Sequence, residues 1–436
     1  MQIEITGLNH QGEGVGRIDG IVYFVPFTVP GDTVEIEETA VQKNFRRGRL
    51  VSVTQASPDR VKAACARQEI CGGSNLHHIA YDAQLRWKTQ LVKDALQRIG
   101  GLENVQVEPT LGMDNPYHYR NKAVFHRDRQ NGKIGFYKQG THQVITAADC
   151  CIVPQEWLPI INDLEQIMND PEIRASAVDS ITMRQSVASG QIMVAITGRK
   201  NLEPSFWVEC ARVLKPHKQV VSLVAIDDQG RTRVIEGRSF LNEKIDNLTY
   251  RISPTSFFQT NTQVAGILAK TAVDFCELSG RETVVDAYCG IGTIALPIAR
   301  QAVKVIGIES LTVAVKDATA NAKENGLNNT EFITGMCEEI LPNFVAENGA
   351  IDIIVVDPPR KGLEPEVIDA IGKAKPGKVV YVSCHTGTLA RDLGRLSELG
   401  YKVSKVQPVD MFPHTPLVET VVACKDKMLK DNSNVI

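Results

Sequence analysis

The stretch Thr283-Val284-Val285-Asp286-Ala287-Tyr288-Cys289-Gly290-Ile291-Gly292-Thr293 runs from a short apolar strand into a glycine loop, and a helical pattern follows. Glycines at such a junction let the backbone approach a ligand at a helix N-terminus, on the carboxyl edge of a sheet. Working outward, the chain alternates short apolar runs with longer helical stretches. The strands read as Thr283–Tyr288, Lys304–Glu309, Thr330–Thr334, Ile351–Asp357, Lys378–Ser383, Val403–Met411 and Val418–Cys424. An amphipathic helix through Val264, Ile267, Leu268, Ala272, Phe275 and Leu278 precedes them. This pattern, with its last two strands joined by a short loop, predicts a mostly parallel, doubly wound, Rossmann-like α/β sheet with one antiparallel strand. The unit is expected over residues 253–436.

Upstream the texture differs. Residues 1–56 alternate apolar and polar side chains between glycine turns, with Ile3, Ile5, Val15, Ile18, Val22, Phe24, Val34, Ile36, Leu50 and Val53 marking about five short strands. That spacing fits an oligonucleotide-binding-type β-barrel. Its segment Lys43-Asn44-Phe45-Arg46-Arg47-Gly48-Arg49 combines four cations and an aromatic, as phosphate contact and base stacking would require; the alternative is an edge strand protected by charge. Residues 57–252 open with a cysteine-bearing linker and a helix over Tyr81–Ile99. A β-rich α+β region follows, whose topology the pattern leaves open.

A chain of 436 residues predicts two or three domains. No apolar run is long enough to span a bilayer, and the first residues read as a strand, not a secretion signal, so a cytoplasmic protein is expected. Ten scattered cysteines then suggest thiols, catalysis or metal rather than disulfides. The net charge of −3 argues mildly against nucleic acid, although a local basic stripe suffices for binding.

Chemistry collects at the strand ends. Asp357-Pro358-Pro359-Arg360-Lys361-Gly362 places an acid before two prolines that cannot continue a ladder. Ser383-Cys384-His385-Thr386 sets a thiol before a helix, whose N-terminus is expected to favour thiolate. Pro413 through Thr420 returns a carboxylate, Glu419, toward the same edge. Together these suit methylation at C5 of a uracil. That carbon is a poor nucleophile until a thiolate, here Cys384, adds at C6; Glu419 then serves as the base that removes the C5 proton. Glu309, at a strand end, suits ribose hydroxyls, while Asp357 and Gln259 suit holding the base or the methionyl end of a methyl donor. A base in such a crevice must be flipped out or single-stranded. Three rivals remain. An amino-directed methyltransferase would need no cysteine, a nicotinamide oxidoreductase would use the glycine pattern alone, and a degenerate RNA-binding module would not keep Cys384, Asp357 and Glu419.

With these motifs the sequence resembles the bacterial RNA uridine-5-methyltransferases, specifically the 23S ribosomal branch, over nearly the whole chain. Phe257-Phe258-Gln259-Thr260-Asn261, the glycine loop, Asp357-Pro358-Pro359, Ser383-Cys384 with Thr388 through Asp392, and His414 through Glu419 carry the likeness in order. The resemblance implies an N-terminal TRAM barrel, a central domain with an RNA-binding surface and a C-terminal S-adenosylmethionine-dependent domain. It assigns Gln259, Tyr288, Gly290, Thr293, Glu309 and Asp357 to the cofactor, and Tyr119-Arg120-Asn121-Lys122 to an RNA-facing motif. It further implies 23S rRNA as partner, with 5-methyluridine formation in tRNA or another S-adenosylmethionine-dependent methylation as alternatives, and a monomer. Family members often hold a [4Fe-4S] cluster. Cys65, Cys71 and Cys150 match three of its ligands, but Ser74 stands at the third position, and serine is a poor ligand for iron. Cys151 could substitute.

Overall fold

The computed structural model describes residues 1–428 apart from 148, 171–176, 200–201 and 349–350. At its N-terminus β1 (Gln2–Leu8), β2 (Gly14–Ile18), β3 (Ile21–Val25), β4 (Thr33–Val41) and β5 (Phe45–Gln55) close into a barrel in the order β1-β2-β3-β5-β4. Inward-facing Ile3, Ile5, Tyr23, Val25, Val34 and Ile36 fill it, as the alternation predicts. Gly16 has no substitute, since a Cβ there would lie 2.4 Å from the Glu4 carbonyl oxygen. The cationic hairpin differs from expectation. Arg46 pairs with Glu38, Arg47 with Glu13 and Arg49 with Glu37, while Phe45 packs on Phe24 with centroids 5.1 Å apart. Neighbouring glutamates hold these arginines, and the aromatic is already stacked. The strand is therefore neither the charge-protected edge, since β5 pairs with both β3 and β4 in the closed barrel, nor a platform of unpaired cations.

After the barrel comes α1 (Tyr81–Arg98). The central sheet collects β6 (Lys122–Arg127), β7 (Ile134–Tyr137), β8 (Val144–Thr146), β9 (Val178–Gln185), β10 (Ile192–Gly198), β11 (Val220–Ile226) and β12 (Thr232–Gly237) in the order β12-β11-β10-β9-β6-β7-β8. Helices α2 (Trp157–Asn169) and α3 (Pro204–Leu214) cover one face. There Trp157, Phe206, Phe125 and Ile181 form the core. Only β10 and β11, joined through α3, are parallel, as a crossover connection requires.

A hairpin, β13 (Leu241–Ile245) with β14 (Leu248–Ile252), precedes α4 (Thr262–Cys276). The remaining elements alternate: β15 (Thr283–Ala287), α5 (Ala295–Ala299), β16 (Lys304–Glu309), α6 (Thr312–Glu324), β17 (Thr330–Thr334), α7 (Cys337–Asn348), β18 (Ile353–Val356), α8 (Pro365–Ala374), β19 (Lys378–Ser383), α9 (Thr386–Glu398), β20 (Tyr401–Val409) and β21 (Glu419–Asp426). The sheet order is β17-β16-β15-β18-β19-β21-β20, and β21 alone runs antiparallel, wedged between β19 and β20. Both faces are covered, which explains the unbroken apolar runs. Val284, Val355, Val382 and Val421 pack toward α4, while Val285, Ile354, Tyr381 and Val422 pack toward the α1, α8 and α9 side. Each fully buried aliphatic side chain contributes roughly 1.5–3 kcal/mol.

Two elements cross the boundary drawn at 252 from the change in pattern. Ile245, Leu248, Tyr250 and Ile252 of the hairpin join the α4 core, and Val92, Ala95 and Leu96 of α1 join the opposite one. By packing, both go with the C-terminal sheet. Among the described residues, no helix is long and apolar enough to cross a membrane.

Candidate active site

Strand register assembles the site. In the parallel pairs Asp286 lies opposite Gly307 and Val355, and Val356 lies opposite Tyr381. Counting by twos along the pleat, Asp286, Asp357 and Cys384 leave the same face of the sheet at its carboxyl edge. In the antiparallel pair Ser383 faces Thr420, so one step further Cys384 and Glu419 are neighbours on that face. Glu309, two residues beyond Gly307, joins them.

The glycine loop lies under α4. Gln259, Tyr288, Gly290, Thr293 and Asp357 line one narrow pocket, together with Phe257, Ala265, Leu268 and Asp286. Glu309 borders it from the next strand, accepting a bond from Gly290 N at 3.2 Å and from Leu311 N at 2.7 Å. Tyr288 has φ of 70° and Gly292 φ of 89°. The glycine bears this freely, whereas for the tyrosine such a backbone costs ~1–3 kcal/mol, strain of the kind that clusters at functional sites. The Gln259 segment is clamped from the central sheet. Asn121 Nδ2 donates to Gln259 O at 2.9 Å and to Thr262 Oγ1 at 2.8 Å, and Asn121 N donates to Thr260 O. Asn121 and Tyr119 are buried, and Tyr119 Oη donates to Pro413 O at 3.1 Å. In the motif expected to face RNA, these two residues face inward and join domains; only Arg120 lines the cleft described below.

Charge in this pocket is unbalanced. Asp286 is 1% exposed and neither carboxylate oxygen has a protein hydrogen-bond partner. Burial and the nearby Asp357 push its carboxyl well above the usual range. Burial likewise lifts Asp357 to about 7, and burial with Asp357 lifts Glu419 to about 8. Cys384 also departs from expectation. It stands at the start of α9, whose N-cap is His385, yet its thiol is pushed up to about 11 by burial and by Glu419 and Asp357, with Arg360 opposing. Burial, with the two carboxylates, outweighs the helix terminus.

The thiol opens into a cleft of about 750 Å3 whose walls come from every part of the chain. His10, Gly12 and Phe27 come from the barrel, Gly73 and Asn75 from the linker, Arg120 and Gln139 from the centre, and Thr415 through Val418 from the loop before β21. That loop is pinned to α1. Lys88, fully buried, pairs with fully buried Asp410, and Gln84 Oε1 accepts from His414 N at 3.1 Å. The His414 ring packs near-parallel on both His77, at 4.3 Å, and Tyr117, at 4.7 Å, and these two stack on each other at 6.3 Å.

Beside the cleft, Cys65, Cys71, Cys150 and Cys151 line a small cavity with Ser74, Arg67 and Arg120. Three of the four positions expected for an iron–sulfur cluster are gathered there. The other, Ser74, offers a hydroxyl whose Oγ is 2.9 Å from His77 Nε2. A hard oxygen engaged with an imidazole does not fit a soft iron–sulfide group. No chemistry is routed through one.

Sequence reading passed over Asp286 as a ligand-facing acid, although its two-residue offset from Tyr288 was a usable signal. It also missed His77, Asn121 as a clamp, and the barrel's part in the cleft, which no local pattern reveals.

Fold and site together define an S-adenosylmethionine-dependent methyltransferase of the Rossmann-like class carrying an N-terminal barrel. Residues 80–427 match the tRNA (Uracil-5-)-methyltransferase family and residues 1–51 match the TRAM domain. The chain belongs to that family of RNA (uracil-5-)-methyltransferases. It is 39% identical over 444 residues to an uncharacterized RNA methyltransferase of Halalkalibacterium halodurans, covering 98% of this chain and 97% of that one. It is 38% identical over 435 residues to another from Clostridium tetani, covering 96% and 94%. Among solved structures, the Pyrococcus abyssi tRNA (uracil-54, C5)-methyltransferase in complex with S-adenosyl-L-homocysteine aligns over 97% of this chain and 100% of its own, with 26% identity and a TM-score of 0.76.

Proposed function

We propose that this protein transfers a methyl group from S-adenosylmethionine to C5 of a uridine in 23S rRNA, with Cys384 as nucleophile and Glu419 as base. One observation carries the mechanism: the strand register makes Cys384 and Glu419 neighbours on one sheet face, with Cys384 lining the open cleft and Asp286 and Asp357 of the same face lining the narrow pocket. Cys384 loses its proton to solvent in the cleft, the thiolate sulfur bonds to C6 of the flipped base, and the C5–C6 electron pair moves to C5, making it the nucleophile. The bound cofactor supplies an electrophilic methyl group on a sulfonium. Glu419 then takes the C5 proton, the electron pair returns to the ring, and the C6–S bond breaks to release the thiolate.

The residues suit that cofactor. Gln259, Tyr288, Gly290, Thr293 and Asp357 line its pocket, and Glu309 borders it at the sugar end. Asp286, buried with two unpartnered oxygens, is matched by a cationic ligand, because an opposite charge stabilises a buried carboxylate. The division into residues 1–56, 57–252 and 253–436, with barrel and centre as RNA-binding units, is part of the same reading, as are a monomer and a cytoplasmic setting. RNA bearing 5-fluorouridine at the target should be trapped on Cys384, since fluorine cannot leave as a proton does. Absence of an adduct that survives denaturation would overturn the mechanism.

A second reading, methylation of tRNA, is favoured by the Pyrococcus abyssi enzyme. Its alignment over 97% of this chain leaves too little uncovered to omit the barrel, so the barrel does not by itself choose between the RNAs. Mass-spectrometric mapping of 5-methyluridine in ribosomal and transfer RNA from a deletion strain decides. Loss from 23S rRNA alone supports the first reading, and loss from tRNA alone the second.

A further inference from the structure

Beside the cleft, two sulfurs and one imidazole nitrogen converge without any part in the methyl-transfer chemistry. The ligand atoms of Cys65, His77 and Cys151 all lie within 4.8 Å of one another. Cys151 Sγ is 3.8 Å from His77 Nε2, and Ser74 Oγ is 2.9 Å from that same nitrogen. In a tetrahedral zinc site, with Zn–S of about 2.3 Å and Zn–N of about 2.0 Å, sulfur and nitrogen ligands stand roughly 3.6 Å apart. The observed separation is within a few tenths of an ångström of that value. Cys65, Cys151 and Ser74 also line one small cavity, so there is room between them.

We propose that Cys65, His77 and Cys151 bind a single zinc-type divalent cation, with an oxygen from Ser74 or water completing the tetrahedron. The donors are suited to it. His77 is 1% exposed, and a neutral imidazole has a lone pair to give to a cation. Two thiolates neutralise a dication, which lowers the cost of burying it. Cys71 and Cys150, the other cysteines of the cavity, do not belong to the convergent set.

The ion ties three chain segments together: the linker after the barrel, the approach to α1, and the loop before α2. Its effect reaches the methyltransferase site through the segment around His77, where Asn75 N and Leu76 N both donate to His414 O at 3.0 Å. His77 stacks on His414, and His414 belongs to the loop that delivers Glu419. The cation is therefore a positioning device for that loop and touches no reacting atom.

The test uses the full chain, purified without added metal. Elemental analysis should find about one zinc per chain and no acid-labile sulfide. After chelation, titration with Co2+ alone should give the intense visible d–d bands of tetrahedral cobalt with a sulfur-to-metal charge-transfer band. Cys151→Ala and His77→Gln should weaken cobalt binding by at least about tenfold, while Cys71→Ala and Cys150→Ala leave it unchanged. Near-ultraviolet circular dichroism of each variant checks folding, and the wild-type metal content stands even if a variant fails to fold. Three results would each overturn the proposal: roughly four irons with matching sulfide per chain, no bound cation and no tetrahedral cobalt spectrum, or loss of cobalt in Cys150→Ala as complete as in Cys151→Ala.

Discussion

Replacing Glu419 by glutamine separates the two halves of the proposed reaction. The side chain is 3% exposed, and the amide is isosteric with the protonated acid, so the fold should be kept. Thiol addition and methyl transfer need no proton acceptor at C5, whereas release does. Loss of a positioned base costs about 10²–10⁴-fold, or ~3–5 kcal/mol in barrier. Turnover of Glu419→Gln should fall by that factor, while an RNA–protein adduct carrying the transferred methyl group accumulates. Denaturing electrophoresis with methyl-labelled cofactor, and mass spectrometry of the peptide containing Cys384, read both effects. The variant carries a second signature. Burial raises the Glu419 carboxyl to about 8 from an ordinary 4.5, so the folded protein keeps a proton that the unfolded chain loses as pH rises. Stability from this group is complete below about pH 4.5 and declines up to about pH 8, by at most roughly 5 kcal/mol. The substituted amide cannot titrate, so urea midpoints of the variant should fall less between those limits. Free 5-methyluridine formed at near wild-type rate, with no adduct, would refute the role given to this residue.

Other outcomes are expected at neighbouring positions. Binding S-adenosylmethionine places a cation among Asp286, Asp357 and Glu419, which should lower their affinity for protons; calorimetry in buffers of different ionisation enthalpy should show more protons released than with the neutral-sulfur product S-adenosylhomocysteine. Lys88→Met strands the Asp410 carboxylate in a site where both partners are fully buried, so chemical denaturation should show a loss of ~3–5 kcal/mol, largely restored by adding Asp410→Leu. Asn121→Ala removes two side-chain bonds that hold the Gln259 segment; it should weaken cofactor binding, measured by calorimetry, by ~1–3 kcal/mol and leave RNA affinity nearly unchanged.

The C-terminal sheet was legible because its strands are buried on both faces. Lys304–Glu309, Thr330–Thr334 and Lys378–Ser383 have the bounds read from their apolar runs, while Thr283–Tyr288, Ile351–Asp357 and the last antiparallel pair are each off by one or two residues at an end. Short-range alternation also sufficed for the five barrel strands. The central sheet was not legible, because neighbours such as β6 and β9 meet across more than fifty residues and no local period encodes that pairing. At the site, residues fixed by strand ends (Cys384, Asp357, Glu309) could be named from sequence. Those fixed by packing between distant segments could not: His77 meets Cys151 and His414 only in three dimensions. The expected activation of Cys384 by α9 failed for a similar reason. Helix direction can be read locally, but the depth at which the thiol is buried cannot.

The place of β21 in the sheet has a consequence for biosynthesis. It follows β20 in the chain yet lies between β20 and β19, so a ribosome-bound fragment ending before Glu419 leaves a gap there. Such a fragment displays the thiol without its acid, and β20 loses its strand partner β21, keeping the backbone bonds from Glu108 N and Leu111 N. A growing polypeptide therefore remains inert toward the RNA around it until that final strand has left the exit tunnel and slid into its slot.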